Sequence, residues 1–246
     1  MTKEYLYQTL QDKFRDIVKT HHLETQTIAV NCKLLSPEEA IGITKRKDFP
    51  ILVGKEIMLS AEFQGEYGQA FTDAPSAGKE TLSEILSADI INNDHSRAVF
   101  IAALNAVMKK LKFADKSVHC RNDEPELCAC KLIEFITSEY KNPQIALIGY
   151  QPAMLERLSE RFSVRVLDLN PDNIGQNRYG VKVEHGIDDY KSVIEWTDLV
   201  LCTGSTICNG SIVNFIDIGK EVLFFGTTLS GAAELLKLKR VCFYAN

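Results

Sequence analysis

The sequence predicts an α/β protein, a parallel, doubly wound sheet preceded by a smaller α+β region. Two observations carry that prediction. Residues 144–169 read as strand, glycine turn, helix and strand, with Pro152 opening the helix, and this is the repeating unit of a parallel sheet. From there to the end, short apolar runs keep alternating with helical segments, whereas the stretch before residue 115 reads as strands followed by two helices.

Residues 3–19 suit an amphipathic helix, with Leu6, Leu10, Phe14, Ile17 and Val18 along one stripe. Strands are expected over 27–35 and 56–63, with a loop at Ser36-Pro37 between them. Residues 65–75 read as a long turn-rich loop, either functional or simply a mobile surface segment. A short helix is expected over 79–87. A longer one over 95–112 is apolar almost all round, which implies burial. Asn105 inside it then needs a hydrogen-bonding partner, and a structural role is the simpler reading. The chain divides into a first domain, 1–115, and a second, 116–246.

Beyond Lys116 a polar junction leads into a helix from about Pro125 to Tyr140, with proline and acids where a helix N-terminus favours them. Strands follow over 145–149, 164–169, 181–184, 199–203, 221–225 and 240–244, with helices over 153–161, 188–196, 209–216 and 230–236. Such sheets bind ligands at the carboxyl ends of their strands.

Composition narrows the function. A net charge of −5 argues against a nucleic-acid binder. No apolar run reaches the roughly 20 residues of a membrane helix, and the charged opening Met1-Thr2-Lys3-Glu4-Tyr5 lacks the apolar core of a signal peptide. Seven cysteines without regular spacing fit reduced thiols in the cytoplasm. No Ser-His-Asp set or HExxH pair commits the chain to hydrolysis.

Three loops should gather at the carboxyl edge of the sheet: Gly149-Tyr150-Gln151, Gly204-Ser205-Thr206 through Asn209, and Gly226-Thr227-Thr228. Small residues allow close backbone approach, while Gln, Ser, Thr and Asn offer polar partners to a ligand. None of the three loops holds Lys or Arg, which disfavours a triphosphate site. The alternative is that these side chains merely cap helices. Asp168 lies 19 residues past Gly149, about where a dinucleotide fold holds its ribose, although the accompanying glycine pattern is missing. With Asn170, Asp172 and Asn173 it could hold a ribose or a metal through oxygen, or form an Asx-type turn.

The junction gathers His119, Cys120, Asp123, Cys128 and Cys130, a mixture of soft and borderline metal ligands. On a helix starting at Pro125, Cys128 and Cys130 point to nearly opposite faces. At most His119, Cys120, Asp123 and one cysteine, Cys128, can share an ion. Buried cysteines acting as small hydrophobes are the plainer alternative. Cys202 and Cys208 flank the second glycine loop, where Cys208 is either an activated thiol or part of the core.

At these residues the sequence resembles the family of putative heavy-metal chelation proteins, in which an enolase N-terminal-like domain is joined to a Rossmann-like domain. The resemblance rests on residues 65–73, Asn92-Asn93 with 97–105, His119-Cys120 through Cys128, residues 148–155 and 168–175, and Thr203-Gly204-Ser205-Thr206 with Asn209-Gly210. It spans most of the chain. It implies a site between the two domains, made by Gln69, Thr72 and Asp73 of the first and the sheet edge of the second, and it implies no particular reaction. The leading expectation is a cytoplasmic protein that binds a metal ion or metal-containing small molecule there, with a transition metal as the cofactor it could hold. An enzyme using a nucleotide-like cofactor, such as an adenosyl methyl donor, and a non-catalytic partner-binding protein are the alternatives. Neither nucleic acid nor membrane is expected as a partner, and proteins of this size commonly form homo-oligomers.

Overall fold

Two sheets built by different rules meet across a shared apolar core. The structure, a computed structural model, describes residues 1–32, 38, 41–53, 57–74 and 76–246. The predicted Ser36-Pro37 loop, the end of the strand expected over 27–35, Glu56 and Pro75 lie outside those residues.

Helix α1 (Lys3–Thr20) starts at Thr2, whose hydroxyl accepts from the Tyr5 amide at 3.2 Å, and it buries Leu6, Tyr7, Leu10, Phe14 and Val18. Strands β1 (Thr27–Cys32), β2 (Ile57–Phe63), β3 (Glu66–Thr72) and β4 (Gly78–Thr81) form an antiparallel sheet in the order β3-β2-β1-β4. Helix α2 (Leu82–Ser87) follows directly, capped by reciprocal Thr81 and Glu84 bonds, so the first three residues of the helix expected over 79–87 are strand instead. Helix α3 (Asp94–Lys110) closes this part.

The loop expected over 65–75 is largely strand instead. Gln64 and Gly65 turn the chain with φ of +49° and +85°, and Phe63 pairs with Glu66 across them. That is a two-residue hairpin, which the Gln-Gly pair signals only weakly compared with Asn-Gly. Gly68, Ala70 and Thr72 then face inward, small residues that look loop-like in a sequence. Gly68 is required by contact: a Cβ there would overlap the Ala106 amide and the Ala102 carbonyl of α3.

The second part runs α4 (Glu124–Glu139), β5 (Ile145–Ile148), α5 (Pro152–Ser159), β6 (Val164–Asp168), β7 (Asn177–Arg178), β8 (Val181–His185), α6 (Tyr190–Trp196), β9 (Leu199–Thr203), α7 (Thr206–Asn209), β10 (Glu221–Phe225), α8 (Ser230–Leu236) and β11 (Arg240–Val241). Among the described residues the strand order is β11-β10-β9-β5-β6-β8-β7, parallel except for the short β7–β8 hairpin, which the sequence did not announce. The order reverses between β5 and β9, the place where open α/β sheets form a crevice. The helix expected over 209–216 is instead α7 and a 3-10 turn, Ser211–Phe215, separated by Gly210 in a left-handed conformation. The strand expected over 240–244 keeps only its first two residues.

Strand residues alternate between two cores. Ala146, Ile148, Leu167, Val200, Cys202 and Phe224 join one that also holds α1, α3 and the inner face of β2. Ile145, Leu147, Val166, Leu199, Leu201 and Leu223 join another, covered by α4 and α5. Both faces of the parallel sheet are therefore dry, which explains its uninterrupted apolar strands.

Three buried polar residues fix the first part to the second. Arg97, fully buried, donates to the carbonyls of Ile90 (2.7 Å), Ile91 (2.6 Å) and Cys208 (2.8 Å), pairs with Asp94 (2.5 Å), and lies over the Tyr7 ring. The Tyr7 hydroxyl donates to the Ile207 carbonyl at 2.6 Å. Asn105 donates to the carbonyls of Gln69 (3.0 Å) and Thr228 (2.9 Å) and accepts from the Gly231 amide at 2.7 Å. The structural role expected of Asn105 is what the fold uses it for.

Candidate functional site

At the order reversal lies a cavity of about 720 Å³, inside the range of roughly 300–1,000 Å³ typical of small-molecule sites. Its floor is the carboxyl edge of β5, β6, β9 and β10, with Gly149, Asp168, Thr203 and Thr227 among the lining residues. Phe71, Thr72 and Asp73 close one side from the end of β3, and Phe49 and Ile51 lie on another. A third wall is made by His119, Cys120, Cys128 and Cys242.

The stretch carrying Phe49 and Ile51 is tied down by one guanidinium. Arg46 pairs with Glu126 and Glu156, and it donates to the Tyr179 hydroxyl at 2.6 Å. Asp48 beside it accepts from the hydroxyls of Tyr179 (2.5 Å) and Tyr150 (3.2 Å). Desolvation, then the Asp48 charge, pushes the Tyr150 phenol up to about 12, so it stays a proton donor.

The polar rim is mostly committed to holding itself together. Asp168 accepts from the amides of Asn170 (2.7 Å) and Tyr150 (2.9 Å) and from Asn173 Nδ2 (3.2 Å). Asn170 Oδ1 accepts from the Asp172 amide at 3.0 Å, so the Asx-turn alternative describes this loop. Gln151 caps α5 through the Met154 amide at 2.6 Å, and Asn209 accepts from the Ser211 amide at 2.9 Å. Thr206 donates to the Thr203 carbonyl at 2.7 Å, while Thr203 and Ser205 bond each other at 3.0 Å. The Thr228 hydroxyl accepts from the Phe71 amide at 3.0 Å. Thr227 differs: its hydroxyl is buried without a hydrogen-bond partner among the described residues.

The third wall has more to spare. Gln69 accepts from the His119 amide at 2.7 Å, and His119 Nδ1 bonds the Cys120 carbonyl at 2.6 Å. A proton on Nδ1 leaves Nε2 with a bare lone pair and no partner among the described residues, the tautomer of a metal-ligating histidine. Burial lowers the His119 pKa and favours that neutral form. Phe71 meets the ring edge-on at 5.4 Å. Burial pushes the Cys120 thiol up to about 12. Cys128 and Cys242 perturb each other: Cys242 and burial raise the Cys128 thiol above the ordinary range, while Cys128, the Arg240 charge and the backbone at Ala245 and Gly226 hold Cys242 below it.

Of the residues proposed from sequence, Thr72, Asp73, His119, Cys120, Cys128, Gly149, Gln151, Asp168, Asn170, Asn173, Ser205, Thr206, Asn209, Thr227 and Thr228 line this cavity. Gln69 stands behind His119, and Gly204 packs against Leu229. Asp123 and Asp172 are exposed and line no part of the cavity. Asp123 ends at the surface because it is the residue just before α4, whose buried side carries Cys128. Among the described residues no three His, Cys, Asp or Glu side chains gather in a metal-holding cluster. Cys128 is buried and Cys130 exposed, as the helical spacing requires. Cys208 belongs to the core, its thiol pushed up to about 12 by burial rather than activated. Sequence reasoning missed Cys242. Its one signal was position: it is the first residue past β11, hence at the carboxyl edge.

The fold and cavity define an α/β protein with a small-molecule-sized crevice at a sheet edge. Residues 131–242 match the family model described as "DUF364: Putative heavy-metal chelation", the family that the sequence motifs resemble. The chain is similar to a DUF364-family protein of unknown function from Pyrococcus horikoshii, with 18% identity, a TM-score of 0.50, and coverage of 89% of this chain and 80% of that one. It is also similar to one from Desulfitobacterium hafniense, with 10% identity, a TM-score of 0.48, and coverage of 73% and 72%. The first likeness supports the α/β fold. No curated protein matches the chain. No helix among the described residues is long and apolar enough to cross a membrane.

Proposed function

We propose that the protein binds a metal-containing small molecule in the cleft between a first domain, 1–115, and a Rossmann-like second domain, 116–246, as a cytoplasmic metal-handling protein. One observation carries this reading. A cavity of about 720 Å³, much larger than a bare ion needs, has along one wall three cysteines and an imidazole nitrogen without a hydrogen-bond partner among the described residues. Phe49, Ile51 and Phe71 would pack on the organic part, and the Thr227 hydroxyl would gain the partner it lacks among the described residues. The described cysteines are all free, which suits a reducing compartment. The test is elemental analysis and mass spectrometry of whatever anaerobically purified protein releases on denaturation. Metal and an organic species in matched amounts are expected; neither above background, with or without added metal, overturns the reading.

The nucleotide-like alternative draws on Asp168 at the end of β6. Three of its acceptor positions are already filled by Tyr150, Asn170 and Asn173, so little remains for ribose hydroxyls. An adenosyl nucleotide that raised the melting temperature at millimolar concentration would favour it.

A further inference from the structure

We propose that residues 41–53 are a movable strap over the cavity wall that carries Cys120 and Cys128, latched shut by Arg46. The inference rests on the proposed function in one respect, that this cavity is the binding site. It adds the means by which a ligand enters and leaves.

The strap is wall and not scaffold. Ile41, Phe49 and Ile51 line the cavity together with Cys120, Pro125 and Cys128. Among the described residues, 41–53 contributes a 3-10 turn, Pro50–Val53, but no strand to either sheet. One end is pinned by Asn122, whose amide donates to the Ile41 carbonyl at 2.6 Å and whose Oδ1 accepts from the Ile43 amide at 3.0 Å. Beyond Thr44, the described hydrogen bonds and ion pairs to the rest of the protein run through two side chains, Arg46 and Asp48.

Charge then singles out Arg46. Its guanidinium meets the carboxylates of Glu126 on α4, Glu156 on α5 and Asp48 on the strap itself, the last at 3.7 Å. Nε and Nη2 both reach Glu126, a planar fork that lysine cannot reproduce. Tyr179, just past β7, joins the pair by donating to Asp48 at 2.5 Å and accepting from Arg46 at 2.6 Å. Without the cation, three like charges from two helices and the strap would face one another and push apart. The latch is also of a kind that can open. Arg97, fully buried, serves carbonyls that water does not reach. The acids around Arg46 are half-buried, so water can solvate them once they are released.

Iodoacetamide labelling of the folded full-length protein, read thiol by thiol by mass spectrometry, needs no ligand. Cys120 and Cys128 are buried and line the cavity, whereas Cys202 is fully buried, lines no part of it, and so reports general unfolding. Arg46→Met should speed labelling of Cys120 and Cys128 by about 10-fold or more and leave Cys202 unchanged. Tyr179→Phe, which removes only the hydroxyl between Arg46 and Asp48, should give a smaller rise at the same two thiols. Brief trypsin digestion should nick Arg46→Met after exposed Lys45 about 10-fold faster than the wild type. Unchanged labelling of Cys120 and Cys128 in Arg46→Met, or a rise that Cys202 shares, overturns the inference. If labelling is unchanged while the purified wild type releases metal and an organic species, the strap falls and the proposed function stands. If labelling rises as expected and the wild type releases neither, the strap stands and the proposed function falls.

Discussion

The polar rim and the sulfur wall face the same cavity and spend their side chains differently. Along the rim, Asp168, Thr206, Asn209 and Thr228 have protein partners at 2.7–3.0 Å. The loops they hold are anchored from behind by Arg97, Tyr7 and Asn105. Along the wall, His119 Nε2 has no hydrogen-bond partner among the described residues, and Cys120, Cys128 and Cys242 line the cavity as free thiols. A group already satisfied by the protein gains little from a ligand, since binding would exchange one hydrogen bond for another. On the proposed function, the rim would set shape and the wall would supply affinity.

Substitutions behind the rim should therefore register in stability, and those in the wall in binding. Arg97→Met should cost the most, about 3–5 kcal/mol, because it strands two buried carbonyls and a third that is part-buried. Urea unfolding measures it, and a cost below about 1 kcal/mol would mean the rim does not depend on its anchor. Asn105→Ala leaves the Gly231 amide and the Thr228 carbonyl unpaired. A loss of about 2–3 kcal/mol and faster hydrogen exchange at Gly231 are expected. Asp168→Ala removes the acceptor for two amides and Asn173, in a half-buried setting, for about 1–2 kcal/mol. Cys242→Ser should lower stability by less than about 1 kcal/mol. Equal losses of stability at Cys242 and Asn105 would erase the distinction.

The smallest effect tests reactivity alone. Iodoacetamide at pH 8 should label exposed Cys130 well before enclosed Cys202. Cys202 is fully enclosed, its thiol pushed up to about 12 by burial, so hardly any thiolate exists there until the protein unfolds. Mass spectrometry of peptides over time reads the order.

Sequence reasoning reached some of this and not the rest, for physical reasons. The strands at 145–148, 199–203 and 221–225 are apolar on both faces, so their runs were legible without any tertiary information. Their carboxyl ends located the cavity. β3 was lost because its inward residues are small enough to pass for a loop, a demand made by α3 and invisible locally. The wall was half legible. His119, Cys120 and Cys128 sit close together in sequence, but Cys242 joins them only when β11 takes its place at the sheet's edge. Asp123 misled because chemical type is written in the sequence and the direction of a side chain is not.

The anchoring of α7 and α8 by Tyr7, Arg97 and Asn105 bears on how this molecule can be taken apart. A fragment beginning at residue 116 would keep every strand of the parallel sheet. It would also expose to water the surfaces around Ile207, Gly231 and Ala232 that α1 and α3 now cover, with several amides and carbonyls stripped of their partners. Dissection at that point yields an adhesive remnant rather than a working module.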